Sequence, residues 1–141
     1  MDRARIRELH YITDIANVAS ILELGILSHR LADQVAHVSV ADERVQAIRA
    51  TKPIWTGRSY RWLHEYANLY LHARNAMLYR LLKRGTGDLT VLAVDPCVLD
   101  IEGVLVSDRN AAGPARFEPI PDGLLRLDEE AVFANLMDRQ R

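Results

Sequence analysis

The sequence predicts an α+β fold organised as a single domain over residues 1–141. Three observations favour this fold: segments whose apolar residues recur at helical spacing, short β-branched runs typical of strands, and one long stretch in which polar and apolar residues alternate. With 141 residues and 49% hydrophobic content, the chain can bury one proper core. We therefore expect a mixed β-sheet of about four to six strands with short flanking helices.

Charge and cysteine content limit the classes of partner. A formal net charge of −1 gives no general attraction to nucleic acid or to anionic membranes, so such a partner must be held by a local patch. The single cysteine, Cys97, excludes an internal disulfide and fits a reducing cytoplasm. No apolar run approaches the roughly 18 residues of a membrane span, and the spacing of His64 and His72 is not a metal-ligand spacing. We expect a cytoplasmic protein that binds neither metal nor membrane.

The first strand and helix are predicted within residues 9–25. The sequence LHYIT is typical of a strand, and Thr13 or Asp14 is predicted to cap a helix over residues 15–24 that stops at Gly25. A strand that runs straight into a capped helix exposes backbone N–H groups. Such a junction favours an anion or a polar ligand, although most junctions of this kind bind nothing.

The next segment is less regular. Residues 26–40 predict a long loop with a short helical turn, and residues 42–49 predict a short helix whose Val45 and Ile48 face inward.

Residues 51–62, TKPIWTGRSYRW, predict a mobile loop because they contain Pro53, Gly57 and Ser59. The segment also crowds aromatic rings and guanidinium groups together. That mixture is typical of sites for single-stranded nucleic acid, in which bases stack on rings and Arg binds phosphate. A loop that folds its Trp side chains back onto the core explains the same composition equally well.

Residues 63–74 alternate with a period of two, which predicts a strand around which the rest of the chain is organised. Every second residue, counted from Leu63, is mostly apolar, with Glu65 as the exception. The residues in between are His64, Tyr66, Asn68, Tyr70, His72 and Arg74. Because each of these side chains can hydrogen-bond or stack, this face suits the wall of a cleft for a polar, partly aromatic ligand. The alternative is an amphipathic strand whose Tyr and His side chains cover a neighbouring loop.

The remaining elements follow from local patterns. Residues 76–84 predict a short basic helix that ends at Gly85, residues 89–94 a buried strand, residues 101–108 another strand, and residues 109–123 a loop rich in Gly and Pro. Asp128 is predicted to cap a last helix with an apolar side formed by Leu127, Ala131, Phe133, Leu136 and Met137.

Common catalytic motifs do not occur in the sequence. There is no nucleophile elbow of a serine hydrolase, no Walker loop and no glycine-rich dinucleotide fingerprint. Polar and aromatic residues are spread over the first half of the chain instead, and their spacing alone does not join them into one site.

Four blocks of sequence carry a resemblance to a known family. The segments HYITDIANVASILELGILSH, SVADERVQAIR, LHEYANLYLHARNAMLY and VSDRNAAGPARF occur in this order. Together they resemble the DarT family of DNA ADP-ribosyltransferase toxins. The resemblance implies an ADP-ribosyltransferase-like mixed sheet, NAD⁺ as co-substrate, and transfer of ADP-ribose to a base in single-stranded DNA. It also implies a macrodomain antitoxin that reverses the modification.

The same resemblance implies roles for individual residues. Arg49 matches the catalytic arginine of the family. The implied NAD⁺ contacts are His10, Tyr11, Thr13, Asn17, His64 and Tyr66, and the implied DNA contacts are Arg74, Arg109 and Asn110. The family usually has an aromatic residue followed by His where this chain has His10 followed by Tyr11, which leaves open which ring points into the pocket.

The family's catalytic glutamate is expected on a strand after the last helix, a region that this sequence lacks. A carboxylate is needed because cleavage of the glycosidic bond passes through an oxocarbenium-like state. We therefore expect the 141-residue chain to be inactive or nearly so. The alternative to a transferase is a truncated or catalytically inactive homologue that binds NAD⁺ or single-stranded DNA.

Overall fold

The computed structural model describes residues 1–85 and 87–134. Within them the strands are β1 (Leu9–Asp14), β2 (Pro53–Trp55), β3 (Tyr60–Trp62), β4 (Leu89–Val94), β5 (Leu105–Ser107) and β6 (Phe117–Pro119). The α-helices are α1 (Val18–Leu24), α2 (His29–Ala32), α3 (Glu43–Ala50), α4 (Ala76–Arg84), α5 (Asp122–Leu125) and α6 (Glu129–Phe133). Short 3-10 helices lie at Arg3–Arg5, Ile15–Asn17, Leu63–Glu65 and Pro96–Asp100.

The α+β class is confirmed, but the expected single mixed sheet is wrong. Among the described residues the strands form three separate two-stranded antiparallel sheets, which pair β1 with β4, β2 with β3, and β5 with β6. The last two sheets join strands that are close in sequence, so each closes a short loop at small entropic cost. β1 and β4 pair over their full six-residue length, from Leu9 opposite Val94 to Asp14 opposite Leu89.

The predicted strand over residues 63–74 is also wrong. The segment starts with a 3-10 turn and continues without regular secondary structure, with bends at residues 66, 71, 73 and 74. It meets β1 at one bridge, where His10 and Tyr70 exchange two backbone hydrogen bonds of 2.8 Å. Elsewhere the side chains of Asn68 and Asn75 donate to carbonyls only two or three residues away. These local hydrogen bonds satisfy backbone groups that a strand would pair with a neighbour.

Two segments predicted as loops contain strands. Residues 51–62 form the β2–β3 hairpin, in which the Thr56 N–H donates to the Ser59 carbonyl at 2.9 Å and Gly57 adopts a φ of +90°. In the predicted loop over residues 109–123, β6 pairs with β5. Both corrections have the same cause, because an antiparallel partner nearby in the chain supplies backbone hydrogen bonds that composition does not reveal.

The predicted capping residues are confirmed, although Asp14 caps the 3-10 turn of Ile15–Asn17 and α1 itself begins only at Val18. Asp14 and Asp128 each accept a hydrogen bond from the backbone N–H two residues ahead, at 2.8 and 3.0 Å. α1 and α4 end at Gly25 and Gly85, which both adopt a positive φ. Leu136 and Met137, predicted on the apolar side of the last helix, lie outside the described residues.

Helix α3 packs differently from the prediction. Ile48 is 54% exposed, so its expected inward orientation is wrong, while Val45 is half-buried. The helix instead turns Gln46 and Arg49 inward, three positions apart on one face. The Gln46 side-chain oxygen lies 3.0 Å from His64 Nε2, which ties this polar face to the segment that follows β3.

The core joins elements from both ends of the chain. Its buried residues are Ile6, Leu9, Leu99, Val106, Leu124 and Leu127, and Leu69 and Leu71 pack against them. In residues 1–85 and 87–134 no helix has the length and apolarity to cross a membrane. The same residues contain no cluster of three or more His, Cys, Asp or Glu side chains suited to a metal ion.

Candidate functional site

A cleft of about 800 Å³ lies beside the core, between helix α3, the segment of residues 66–75, and the β5–β6 sheet. Its polar wall includes Arg49, Tyr66, Asn68, Tyr70, Arg109 and Asn110, and its apolar lining includes Leu69 and Leu71. Pockets of about 300–1,000 Å³ that combine an apolar lining with a few polar groups are typical of small-molecule sites. The cleft is therefore the candidate functional site.

Arg49 is the principal charged group of this cleft. It lies at the end of helix α3, is half-buried, and makes no ion pair with any carboxylate among the described residues. Burial lowers the pKa of its guanidinium, because removal from water disfavours the charged form. A guanidinium held in this way offers its fixed fork of donors to an anionic ligand.

Two phenols line the cleft together with Arg49, and Tyr70 is the one near its charge. Burial raises the pKa of the Tyr70 phenol, and the nearby charge of Arg49 opposes that rise. The Tyr70 hydroxyl donates to Met77 Sδ at 3.0 Å, which fixes the ring at the start of helix α4. Tyr66 also lines the cleft, and burial raises the pKa of its phenol. Both rings therefore stay neutral and present flat apolar faces beside a cation.

Lys52 positions the opposite wall. Its ammonium donates to the carbonyls of Ala111, at 2.6 Å, and Gly113, and it lies 5.3 Å from the centre of the Phe117 ring. Desolvation, and secondarily the charge of Arg49, lowers its pKa. These contacts join the chain between α3 and β2 to the loop between β5 and β6. They hold that loop where Arg109 and Asn110 line the cleft.

His64 belongs to a cluster behind Arg49 rather than to the cleft wall. Its ring stacks on that of His29 with centroids 4.1 Å apart, and Gln46 is within hydrogen-bonding distance of Nε2. Burial lowers the pKa of His64, and the neighbouring charges of His29 and Arg49 lower it further. A neutral His64 can thus support the face of α3 that carries Arg49.

The junction between β1 and α1 is built from hydrogen bonds within the chain. Thr13 is 3% exposed, and its hydroxyl accepts from the Asn17 amide at 3.0 Å. The same amide donates to the Val38 carbonyl at 2.8 Å, and its oxygen accepts from the Val38 N–H at 2.9 Å. Asn17 therefore fixes the loop between α2 and α3 to the first helix, and both of its polar atoms are engaged.

The two rings that precede this junction lie on opposite faces of β1. His10 is largely buried, with Nε2 3.8 Å from a Glu8 carboxylate oxygen. Tyr11 is half-buried, and burial raises the pKa of its phenol. Tyr11 also interacts electrostatically with Tyr70, which lines the cleft. Of the two rings, Tyr11 is therefore the one on the side of the cleft.

The structure therefore brings together four of the ten residues singled out in the sequence: Arg49, Tyr66, Arg109 and Asn110 line the cleft. Tyr11 and His64 lie behind that wall. Thr13 and Asn17 hold a loop, and His10 pairs with Tyr70 through its backbone. Arg74 is exposed and does not line the cleft.

Two contributors to the cleft received no role from the sequence. Tyr70 was placed on the polar face predicted to form a cleft wall, but neither an NAD⁺ nor a DNA contact was implied for it. Lys52 had no signal in the sequence, because its partners are backbone carbonyls about 60 positions away along the chain.

Comparisons with known proteins identify a family for this chain. The family model described as "ssDNA thymidine ADP-ribosyltransferase, DarT" matches residues 10–141. A DNA ADP-ribosyl transferase–DNA ADP-ribosyl glycohydrolase fusion protein of Thermosipho africanus (strain H17ap60334) is 43% identical over 112 residues, which cover 77% of this chain and 28% of that protein.

Two solved structures are similar. Thermosipho africanus DarTG in complex with ADP-ribose has a TM-score of 0.71 at 40% identity, over 79% of this chain and 30% of that one. Thermus sp. 2.9 DarT in complex with ADP-ribosylated ssDNA has a TM-score of 0.78 at 26% identity, over 92% and 66%. The chain thus spans under a third of the fusion protein. By the family model and these likenesses, it belongs to the DarT family of ssDNA thymidine ADP-ribosyltransferases.

Proposed function

We propose that this protein transfers ADP-ribose from NAD⁺ to thymidine in single-stranded DNA, as the toxin of a toxin–antitoxin pair. The observation that carries the proposal is Arg49, a half-buried cation without a carboxylate partner in the described residues, which opens on a cleft with two phenol rings. The family description, which names ssDNA thymidine, supports the choice of acceptor.

The NAD⁺ pyrophosphate is assigned to Arg49, because a guanidinium fork matches two phosphate oxygens at once. Tyr66 and Tyr70 offer rings on which an aromatic ring of the dinucleotide can stack. Tyr11 and His64 support this wall from behind. His10, Thr13 and Asn17 act through the backbone bridge and the loop that they hold, as positioning residues rather than as direct contacts.

The DNA is assigned to the opposite wall. Arg109 binds phosphate and the Asn110 amide reads a base edge, the roles to which these side chains are suited. Arg74, exposed near the end of the segment of residues 66–75, contacts the phosphate backbone outside the cleft. Because the net charge is −1, these local cations rather than the whole chain attract the strand.

In the reaction the bond between the nicotinamide nitrogen and C1′ of the ribose breaks, and nicotinamide leaves with the electron pair. A nitrogen of the base forms the new bond to C1′ and loses a proton. A macrodomain antitoxin that removes the modification is the proposed partner, since a relative fuses a transferase with a DNA ADP-ribosyl glycohydrolase. The lone Cys97 fits action in the reducing cytoplasm.

A second candidate is a module that binds NAD⁺ or single-stranded DNA without turnover. It is favoured by the state of Glu65, the one carboxylate that lines the cleft within the described part of the chain. Glu65 lies 3.2 Å from Arg30 and accepts from the Trp62 N–H at 2.7 Å, so its oxygens are engaged away from a reacting ribose.

One experiment separates the two candidates. The 141-residue protein is incubated with NAD⁺ and with single-stranded oligonucleotides that contain or lack thymidine, and the products are weighed by mass spectrometry while calorimetry measures NAD⁺ binding. An ADP-ribose adduct restricted to the thymidine-containing strand supports the transferase. Binding of NAD⁺ without an adduct supports the binding module. If the protein neither binds NAD⁺ nor forms an adduct, both candidates are rejected.

A further inference from the structure

The β2–β3 hairpin displays aromatic side chains that the cleft does not use. In an antiparallel pair, directly opposed residues and residues two apart share a face. Trp55 lies opposite Tyr60, and Trp62 follows two positions later, so all three rings share the outer face. Ile54, on the other face, is buried and lines the cleft. The hairpin thus forms part of the cleft wall and turns its rings away from the core.

The rings are exposed to an extent that is unusual for residues of this size. Trp55, Tyr60 and Trp62 are 52%, 70% and 46% exposed. The sequence left open whether the Trp side chains fold back onto the core, and the structure answers that they do not. Trp55 and Tyr60 contact each other instead, with ring centroids 5.0 Å apart at an angle of 55°.

The hairpin holds these rings on a fixed frame. Its turn is closed by the Thr56 N–H, which donates to the Ser59 carbonyl at 2.9 Å, and by the Ser59 N–H, which donates to the Thr56 hydroxyl at 3.2 Å. The Trp62 N–H is held by Glu65 at 2.7 Å. A partner that stacks on this face therefore loses little affinity to ordering the backbone.

The charge of residues 51–62 indicates which kind of partner the exposed rings bind. Residues 51–62 contain three basic residues and neither Asp nor Glu, in a chain whose net charge is −1. Lys52 is engaged by the β5–β6 loop. Arg61 is exposed but lies opposite Ile54, on the face away from the rings, whereas Arg58 is exposed at the turn. Exposed rings interleaved with arginine complement a polyanion with flat bases, which describes single-stranded nucleic acid.

We propose that the outer face of the β2–β3 hairpin is a stacking platform for bases that flank the one bound in the cleft. Trp55, Tyr60 and Trp62 stack on the bases, and Arg58 at the turn binds an adjoining phosphate. This inference rests on the proposed function, because it takes single-stranded DNA as the substrate. It adds a second contact region that extends the footprint beyond the cleft.

The test is binding of labelled single-stranded DNA, measured by fluorescence anisotropy with strands of about 4 and about 16 nucleotides, lengths that bracket the usual site sizes. The variants are Trp55→Ala, Tyr60→Ala and Trp62→Ala, each beside Trp55→Phe, Tyr60→Phe or Trp62→Phe, which keeps a ring. Tyr79→Ala is the matched control, since Tyr79 is also 52% exposed but lies on helix α4.

Each Ala variant is expected to weaken binding of the long strand about 5- to 100-fold, the usual effect of removing one stacked ring. The Phe variants and Tyr79→Ala should bind it within about twofold of the unaltered protein. The short strand, which the cleft alone can hold, should bind all variants alike. Unchanged NAD⁺ affinity in each variant verifies the fold.

Three results would overturn the inference. Equal binding of the long strand by the Ala variants, with the unaltered protein binding well, would reject the platform and leave the proposed function intact. No binding of any strand by the unaltered protein would reject both. The third result is a dimer of the unaltered protein, detected by sedimentation analysis, that is lost in the Ala variants while their DNA affinity is unchanged. That result would show that the face binds a second copy of this chain.

Discussion

Replacement of Arg49 by Ala tests the assignment of the cleft most directly. Among the described residues Arg49 has no carboxylate partner, so the substitution leaves no buried carboxylate behind and its effect reports the ligand alone. A hydrogen bond to a charged group contributes about 1.5–3 kcal/mol. At about 1.4 kcal/mol per factor of ten, NAD⁺ and ADP-ribose should bind roughly 10- to 150-fold more weakly.

Two further variants sharpen the measurement. Arg49→Lys should recover only part of the affinity, because an ammonium is a point charge and cannot reproduce the fork. Arg44→Ala removes an exposed arginine from the same helix and should leave the affinity unchanged. Isothermal titration calorimetry provides the affinities. Arg49→Ala should not lower the melting temperature, because removal of a half-buried charge relieves desolvation.

The prediction has a definite point of failure. If Arg49→Ala and Arg49→Lys both bind NAD⁺ and ADP-ribose as tightly as the unaltered protein, Arg49 does not contact the pyrophosphate. The cleft would then lose its principal charged group, and the ligand would have to be sought elsewhere on the surface.

Two other predictions address the supports of the cleft. Lys52→Met should free the loop of residues 109–113, because it removes two charged hydrogen bonds that contribute about 1.5–3 kcal/mol each. Trypsin should then cleave faster after Arg109, and an unchanged cleavage rate would show that Lys52 does not hold the loop. In the folded protein the pKa of His64 is lowered below its ordinary value of 6.5. On acidification the unfolded chain therefore binds a proton at His64 before the folded protein does. The melting temperature should therefore fall as the pH drops below about 6.5, and His64→Gln should flatten that slope while His37→Gln should not.

Local signals in the sequence predicted the helix caps. Asp14 and Asp128 cap helices because their carboxylates reach N–H groups two residues ahead, and Gly25 and Gly85 end helices because each adopts a positive φ. These interactions involve neighbours in the chain, so residue type is sufficient to identify them. The β1 strand and its helix were predicted for the same reason.

Features that depend on distant partners could not be predicted. The alternation over residues 63–74 predicted a strand, but a strand needs a neighbour that accepts its hydrogen bonds. β1 supplies one bridge, at Tyr70, and Asn68 and Asn75 satisfy nearby carbonyls instead. Periodicity describes where side chains point and carries no information on whether an adjacent strand exists.

The electrostatics of the cleft limit what it can bind and do. Arg49 lines it without a carboxylate partner in the described residues, and Arg109 lines it with a guanidinium nitrogen 3.5 Å from Asp108. Lys52 lies behind its loop, and the one carboxylate in its described lining, Glu65, is engaged by Arg30 and the Trp62 N–H. The cleft is therefore a cationic site with neutral rings, which matches the pyrophosphate and the aromatic ends of a dinucleotide in the ground state. Cleavage of the glycosidic bond develops positive charge on the ribose, a charge that these cations oppose. Turnover thus requires a carboxylate near C1′, supplied either by release of Glu65 from its two donors or by a part of the protein beyond the described residues.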